Sequence, residues 1–240
     1  RVLFRSYPYG MVQFTPSYFS KRSGFVINQL SGGGCEHMGN FPTFPVKGKL
    51  KMSPDNILNY RINISEEKGH AGYYEAMVQE DIKAKLTVTE RTGMASYEYP
   101  ADQQYGTVII GGGISATPIE QAAIVITAPN KCEGYAEGGN FCGLRTPYKV
   151  YFVAEFDTDA LESGTWKRNE LKPNTTFAEG EYSGVYFTFD VNKKKNIQYK
   201  IGVSYVSVEN ARENLKAENT GWDFLQIQNQ AESKWNHYLG

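Results

Sequence analysis

Apolar and polar side chains alternate along the run Ile82-Lys83-Ala84-Lys85-Leu86-Thr87-Val88-Thr89-Glu90. In an extended strand this alternation places the apolar members on one face and the lysine and threonine side chains on the other. The preceding run, Tyr73–Val78, alternates in the same way. The two runs therefore predict a β-hairpin with one face in a hydrophobic core.

Similar short runs, rich in aromatic and β-branched residues, recur along most of the chain and are separated by turn residues. They cover residues 10–14, 24–30, 96–99, 106–110, 121–127, 149–156, 184–189 and 198–206. No helical pattern lies between them, as it would in a parallel α/β fold. The sequence therefore predicts an all-β protein, a large antiparallel β-sandwich of two sheets packed face to face.

The hydrophobic period changes after residue 206. Val208, Ala211 and Leu215 follow helical spacing, and Ser207 is placed as the N-cap of that helix. A second helix is expected from about Phe224 to 239. We therefore expect a β-sandwich domain over residues 1–206 and a helical linker over residues 207–240 that leads to a further domain.

The charge balance limits the classes of partner. The chain has 25 Lys and Arg residues against 26 Asp and Glu, for a formal net charge of -1. Nucleic acids and anionic membranes are bound through a dense positive field, which this balance does not supply. No uninterrupted apolar run is long enough for a membrane span. We expect neither nucleic acid binding nor a membrane-spanning helix.

Three cysteines allow at most one disulfide within the chain. Cys132 and Cys142 bracket a glycine-rich stretch, residues 133–141, which is expected to form a loop. A disulfide between these two cysteines would close that loop, and two buried thiols are the alternative.

The glycine-rich loop over residues 31–40 is the first candidate site, because glycines let backbone N–H groups approach a ligand closely. Its alternative is a tight connection between strands. The Cys35-Glu36-His37 run within it also suggests a metal or thiol-nucleophile site. Adjacent residues do not converge easily on one ion, and no second Cys or His follows at zinc spacing, so a metal site is disfavoured. A thiol nucleophile would need a distant His and an oxyanion hole, for which no pattern in the sequence argues.

Phe141 is the second candidate, because an aromatic face can stack on the apolar face of a pyranose ring. Its alternative is a loop anchor packed on the sandwich. The acidic residues offer many possible pairs, and their spacing singles out none. The sequence therefore assigns no catalytic residue and no metal ligand.

Five motifs occur in an order that resembles the N-terminal domain of glycoside hydrolase family 92. They are Pro8-Tyr9-Gly10-Met11-Val12-Gln13-Phe14-Thr15-Pro16, Ser31-Gly32-Gly33-Gly34-Cys35, Ala71-Gly72-Tyr73-Tyr74, residues 206–218, and Gly221-Trp222-Asp223-Phe224 with Trp235-Asn236. The resemblance implies a sandwich of the supersandwich, galactose-mutarotase-like type, followed by an (α/α)-barrel-like catalytic domain. Members of the family are calcium-dependent exo-α-mannosidases that invert the anomeric centre.

The resemblance also implies where the chemistry lies. The acid, the base and the calcium ligands are expected in the helical domain, outside these 240 residues, so the fragment alone is expected to be inactive. By the same resemblance, the loop over residues 31–40 is expected to reach over the terminal mannose. The expected sugar contacts are Gly33, Gly34, Cys35, Glu36, His37 and Phe141.

The expected substrates are α-mannoside glycans, with α-1,2 linkages and N-glycans foremost, and the expected partner is the C-terminal catalytic domain of the same chain. The implied location is secreted, periplasmic or cell-surface. A non-catalytic carbohydrate-binding sandwich is the alternative function, and a structural or adhesive domain without sugar affinity is a third.

Overall fold

The structure, a computed structural model, describes residues 6–17, 24–30, 35, 37–54 and 63–239. Its elements in chain order are β1 (Thr15–Pro16), β2 (Phe25–Val26), β3 (Thr43–Lys47), β4 (Ile64–His70), β5 (Tyr73–Val78), β6 (Ile82–Val88), β7 (Thr92–Glu98), β8 (Tyr105–Gly111), β9 (Ile119–Ala128), β10 (Lys131–Phe141), β11 (Leu144–Phe156), β12 (Glu162–Lys167), β13 (Glu170–Pro173), β14 (Phe177–Glu179), β15 (Ser183–Asp190), β16 (Asn196–Ser204), α1 (Val208–Glu218) and α2 (Phe224–Leu239).

Within these described residues the strands form two sheets. The seven-stranded sheet has the order β1-β2-β3-β8-β15-β12-β13, and the nine-stranded sheet has the order β14-β9-β10-β11-β16-β7-β6-β5-β4. The neighbouring strands pair in antiparallel fashion, as in β10 with β11 and β15 with β8. The predicted antiparallel architecture is confirmed.

Aromatic side chains from both sheets meet in the core. Phe156 of β11 packs on Phe187 of β15 with ring centroids 4.9 Å apart, and Phe25 of β2 stacks on Tyr97 of β7 at 6.4 Å. All four side chains are fully buried. Burial of one such side chain stabilises the fold by about 1.5–3 kcal/mol, so this layer holds the two sheets face to face.

Both C-terminal helices lie on the outer face of the nine-stranded sheet. A Cβ on Gly202 of β16 would lie 2.5 Å from the Ala211 carbonyl oxygen, so α1 rests directly on the strand backbone. Phe224 and Ile227 of α2 pack on Met94 of β7. Both helices occur where the hydrophobic period predicts them. Neither of these described helices combines the length and the apolar character that a membrane crossing requires.

Ser207 caps α1 as predicted, because its side-chain oxygen accepts a hydrogen bond from the Asn210 backbone N–H at 3.1 Å. Ser207→Ala is expected to lower the free energy of unfolding by about 1 kcal/mol, since one helical N–H loses its acceptor. Ser207→Asp keeps an acceptor and should cost less than half as much. Urea denaturation checks both variants, and equal losses would contradict the capping role.

Two predicted strands near the N-terminus are wrong in extent. Residues 10–14 form no strand; instead, Gln13 makes isolated bridges to Ser6 and Asn28. Residues 24–30 contribute only Phe25–Val26. The reason lies in the backbone partners: the Met11 N–H bonds the Glu90 carbonyl, whereas the Gln13 N–H bonds Ile27. Donors that go to different segments build no continuous ladder.

The predicted loop over residues 133–141 is also wrong, because it forms most of strand β10. Cys132, Gly134, Ala136 and Gly138 alternate toward the interior and are buried. A Cβ on Gly134 would lie 2.1 Å from the Ala123 carbonyl oxygen, so the small side chains permit close packing against β9. Small residues occupy the inward positions of this strand, and a glycine-rich composition is also typical of turns. The sequence therefore predicts a loop where the chain forms a strand.

Candidate functional site

The structure describes three of the six predicted sugar contacts, Cys35, His37 and Phe141. Cys35 and His37 lie on the connection between β2 and β3, whereas Phe141 ends β10 at the tip of the β10–β11 hairpin. The other three predicted contacts lie outside the described residues: Gly33, Gly34 and Glu36.

A disulfide joins the two candidate segments. Cys35 bonds Cys142 across a sequence separation of 107, with their Cα atoms 5.5 Å apart. Of the two alternatives left open for Cys132 and Cys142, the disulfide between them is wrong, and the pair of buried thiols holds for Cys132 alone. Cys132 and Cys142 lie at opposite ends of the extended strand β10. At about 3.3 Å per residue they are roughly 30 Å apart, which is beyond the reach of a disulfide.

Cys132 is instead a free thiol that faces the core from β10. Burial raises the pKa of this thiol well above its ordinary value, with a smaller contribution from the neighbouring carboxylate of Glu133. The thiol therefore remains protonated at neutral pH, and it packs as a small apolar side chain.

The tip of the β10–β11 hairpin is a two-residue turn. Phe141 pairs with Leu144, and both residues between them have positive φ, 50° at Cys142 and 83° at Gly143. Two positive φ values are the mark of a type I′ turn, which matches the twist of the flanking strands. The turn places Phe141 directly beside the disulfide.

His37 packs between two aromatic rings of that hairpin. Its ring meets Phe141 edge-to-face with centroids 4.9 Å apart, and it meets Tyr148 of β11 at 5.4 Å. His37 is only 6 % exposed, and Phe141 is half-buried. The ring of His37 therefore fixes the orientation of Phe141, which keeps part of its surface for a ligand.

Burial lowers the pKa of His37, and a hydrogen bond with the Asn140 backbone partly opposes that shift. The imidazole is thus neutral at pH 7. Among the described residues, its Nδ1 atom has no hydrogen-bond partner. This nitrogen is buried, so among the described residues the imidazole serves to orient the ring of Phe141.

This shift predicts a pH dependence of stability. Because the pKa of His37 in the folded protein lies below its ordinary value of 6.5, the unfolded chain takes up this proton first as the pH falls. The stabilisation is complete above pH 6.5 and is lost progressively below it. Urea denaturation between pH 7.5 and 5 should show a shallower decline for His37→Phe than for the wild type. Parallel curves would contradict the assignment.

A buried polar network supports the same loop. The Asn28 side-chain amide donates to Asn40 Oδ1 at 3.1 Å, and the Asn40 backbone N–H donates to Asn28 Oδ1 at 2.8 Å. The Tyr148 hydroxyl also donates to Asn40 Oδ1, at 2.9 Å. Burial raises the pKa of the Tyr148 hydroxyl, which keeps it protonated as a donor. We call Cys35, His37, Asn40, Phe141, Cys142 and Tyr148 the loop cluster.

The predicted sugar contacts do not include Asn28, Asn40 or Tyr148, although Asn40 ends the candidate loop over residues 31–40. The only signal was the pair Asn28-Gln29 inside an apolar run, since two consecutive amides in a buried strand need polar partners. Both side chains are indeed 4 % exposed. Nothing local marked Asn40 or Tyr148, which lie 12 and 120 positions along the chain from Asn28.

A depression of about 290 Å³ adjoins the loop cluster at the hairpin tip. Gly139, Asn140 and Gly143 line one side of it, and a salt bridge of 3.0 Å between Arg145 and Glu120 lines the other. Within the described part of the chain, no group of three or more His, Cys, Asp or Glu side chains could hold a metal ion. The local chemistry is that of hydrogen bonding and ring stacking.

A family model matches most of the chain. The model of the glycosyl hydrolase family 92 N-terminal domain covers residues 3–204. Among curated proteins, an uncharacterized secreted glycosidase of Arthroderma benhamiae is 25 % identical over 247 aligned positions, which include 92 % of this chain and 32 % of the relative. The chain thus spans about a third of that relative's length.

Solved structures share the fold. An inverting mannosidase of family 92 from Bacteroides thetaiotaomicron superposes with a TM-score of 0.83 at 22 % identity, covering 98 % of this chain and 33 % of that one. An α-mannosidase of the same family and organism, solved with mannoimidazole, gives a TM-score of 0.81 at 22 % identity over 98 % of this chain and 34 % of that one. At these identities the likeness shows the fold alone.

Proposed function

Since the chain belongs to glycosyl hydrolase family 92 as its N-terminal domain, we propose that it supplies one wall of the pocket of an exo-α-mannosidase. The substrates are α-mannoside glycans, with α-1,2-linked termini foremost, and the loop cluster contacts the terminal mannose. Support comes from structures of the same fold that are mannosidases, one of them solved with mannoimidazole.

One observation carries the proposal. The segment around Cys35 and the tip around Phe141 were each singled out for sugar binding, and the Cys35–Cys142 disulfide brings them together. If residues 31–40 were only a connection between strands and Phe141 only a loop anchor, the two segments would not need to lie side by side. Convergence of two such segments on one surface is typical of a binding site built at strand ends.

The chemistry of the cluster suits a sugar. A pyranose has an apolar face of C–H groups, which the partly exposed ring of Phe141 can cover, and a rim of hydroxyls that takes hydrogen bonds. In the proposal His37 contacts the sugar from beneath Phe141, as a buried side chain at the base of the wall. In the proposal the glycine-rich loop completes the wall, with backbone groups of Gly33, Gly34 and Cys35 and the carboxylate of Glu36 as further contacts. The role of this domain is recognition and positioning of the sugar.

The catalytic groups are proposed to lie in the rest of the intact protein. An inverting glycosidase needs a carboxylic acid and a carboxylate on opposite faces of the sugar, about 6.5–9.5 Å apart. None of the loop-cluster residues is a carboxylate. In the proposal calcium binds outside this chain, as the family resemblance implies, and no residue here is assigned to it.

The C-terminal catalytic domain is the proposed partner of helix α2. An open groove of about 800 Å³ runs along the outer face of this helix between Tyr7 and His237. Leu225 and Leu239 lie on the same helix and are 66 % and 64 % exposed. Burial of such side chains favours packing against a neighbouring domain. In this arrangement residues 1–206 form the sandwich and residues 207–240 the linker.

The proposed location is outside the cytoplasm: secreted, periplasmic or at the cell surface. The Cys35–Cys142 disulfide fits an oxidising compartment. The relative from Arthroderma benhamiae is a secreted glycosidase.

The test is release of mannose from α-1,2-linked mannobiose with calcium present. The intact protein is expected to release mannose, and a chelator should abolish the release. Residues 1–240 alone, as the matched control, are expected to release none. An active 240-residue fragment would refute the assignment of the acid and base to the other domain.

The same assay separates the alternative function. If the intact protein releases no mannose from any α-mannoside but still binds mannosides in a titration, a non-catalytic carbohydrate-binding sandwich takes the place of the enzyme. If it neither releases nor binds mannosides, a structural or adhesive role replaces both.

A further inference from the structure

The turn at the β10–β11 tip has an unusual residue at its first position. A type I′ turn favours Asn, Asp or Gly at both central positions, because a side chain with a bulkier Cβ substituent strains the left-handed region. Cys142 occupies this position with φ 50°. The local preference is overridden, and the bond to Cys35 is a long-range contact that requires a cysteine there.

The disulfide fixes one point of the β2–β3 connection, and a separate polar network fixes another. On the far side of the connection, Asn40 is held by Asn28 and Tyr148 through hydrogen bonds that do not depend on the disulfide. Met38 and Phe41 have φ values of 59° and 54°, so this stretch is backbone that needs external support. Opening the disulfide therefore removes one support and leaves the polar network intact.

The disulfide is also within reach of reductants. Cys142 is exposed and Cys35 is half-buried, whereas Cys132 is fully buried in the core. Exposed disulfides are the ones that exchange readily with thiols. Of the three cysteines, only this pair can then respond to the redox state of the surroundings.

We propose that the Cys35–Cys142 disulfide positions the sugar-binding segments against each other, so that a dithiol which reduces it weakens mannoside binding while the fold persists. This inference rests on the proposed function and makes Cys142 a positioning residue. Without the disulfide, the side chains of His37 and Phe141 must become ordered when the sugar binds. The entropy lost in this ordering lowers the affinity for the sugar.

The redox step is an ordinary thiol–disulfide exchange. A thiolate of the dithiol attacks the exposed sulfur of Cys142, and Cys35 leaves as a thiolate. The second thiolate of the reductant then displaces Cys142, closing a cyclic disulfide. Two electrons and two protons pass to the cysteines, which end as thiols, and the dithiol is oxidised to its disulfide.

The test compares the intact wild-type protein with the double variant Cys35→Ser, Cys142→Asn, each before and after dithiothreitol. Asn is the residue that the turn favours, so the variant removes the link and keeps the turn. The kcat and KM for α-1,2-linked mannobiose are measured, together with amide hydrogen exchange over residues 28–41.

We expect reduction of the wild type to raise the KM by about tenfold with kcat within about twofold, because positioning acts on binding of substrate and transition state alike. The KM of the double variant should equal that of the reduced wild type, and it should not change when dithiothreitol is added. Exchange over residues 35–39 should quicken in both.

Three outcomes would overturn the inference. A KM that differs by less than twofold between the oxidised wild type and the double variant shows that the disulfide does not position the site. A reductant effect that persists in the double variant places the sensitive bond elsewhere. If the oxidised wild type releases no mannose at all, the proposed function fails first, and this inference with it.

Discussion

Replacing Phe141 by alanine in the intact protein is expected to raise the KM for α-mannosides by about thirtyfold. The ring meets the His37 ring edge-to-face, at 4.9 Å between centroids, and its half-buried side chain keeps exposed surface that can cover the apolar face of a sugar. Losing that contact removes about 2 kcal/mol of binding, and 1.4 kcal/mol corresponds to a factor of about ten. Steady-state kinetics with α-1,2-linked mannobiose measures the change.

Two matched variants make the Phe141 result specific. Phe141→Tyr keeps a ring that can stack and should change the KM by less than about threefold. Leu144→Ala truncates an apolar side chain across the same turn, where it is 70 % exposed, and should leave the KM within about twofold. Equal effects of Phe141→Ala and Leu144→Ala would show a general disturbance of the tip and not a sugar contact.

Asn40→Ala is expected to lower the free energy of unfolding by about 2 kcal/mol, because it removes a buried acceptor that two side-chain hydrogen bonds share. Asn40 Oδ1 accepts from both the Asn28 amide and the Tyr148 hydroxyl, and Asn40 is fully buried. Its loss should also weaken mannoside binding, since the same residue anchors the loop cluster. Urea denaturation measures the stability change.

Asn140→Ala is the matched control, since it is the same substitution at an exposed position of the neighbouring hairpin. It should change the free energy of unfolding by less than about 0.5 kcal/mol. If Asn40→Ala also costs less than that, then the buried network does not support the loop, and the site must be held by other contacts.

Elements with a strong local period could be predicted from the sequence. Strands β5 and β6 alternate between core and solvent, and the structure pairs Ala76 with Ala84 in one hairpin. Helix α1 follows from its 3.6-residue stripe and its Ser207 cap. In these elements, the side chains that define the pattern are the ones that pack, so periodicity alone is sufficient.

Strand β10 could not be predicted in this way, because its inward positions hold small residues whose role is close approach of β9. The interior of a strand that packs backbone against backbone carries little hydrophobic signal. The N-terminal strands failed for a related reason, since the hydrogen-bond partners of Met11 and Gln13 lie in different, distant segments.

The candidate site could likewise be predicted only in part from the sequence. Its residue types could be named from the glycine-rich loop and the aromatic residue near Cys142, but their assembly depends on a contact between residues 107 positions apart. Local sequence does not encode which cysteine pairs with which. The supporting amides and hydroxyls were missed because a buried polar residue reveals its partners only in the folded chain.

Hydrogen exchange of the intact protein with and without mannoimidazole tests the central claim most directly, because it locates the ligand on the chain without any substitution. The account predicts protection over residues 28–41 and at the hairpin tip, residues 138–148. Protection confined to the chain beyond residue 240 would contradict it, since the loop cluster would then contribute nothing to the mannose pocket.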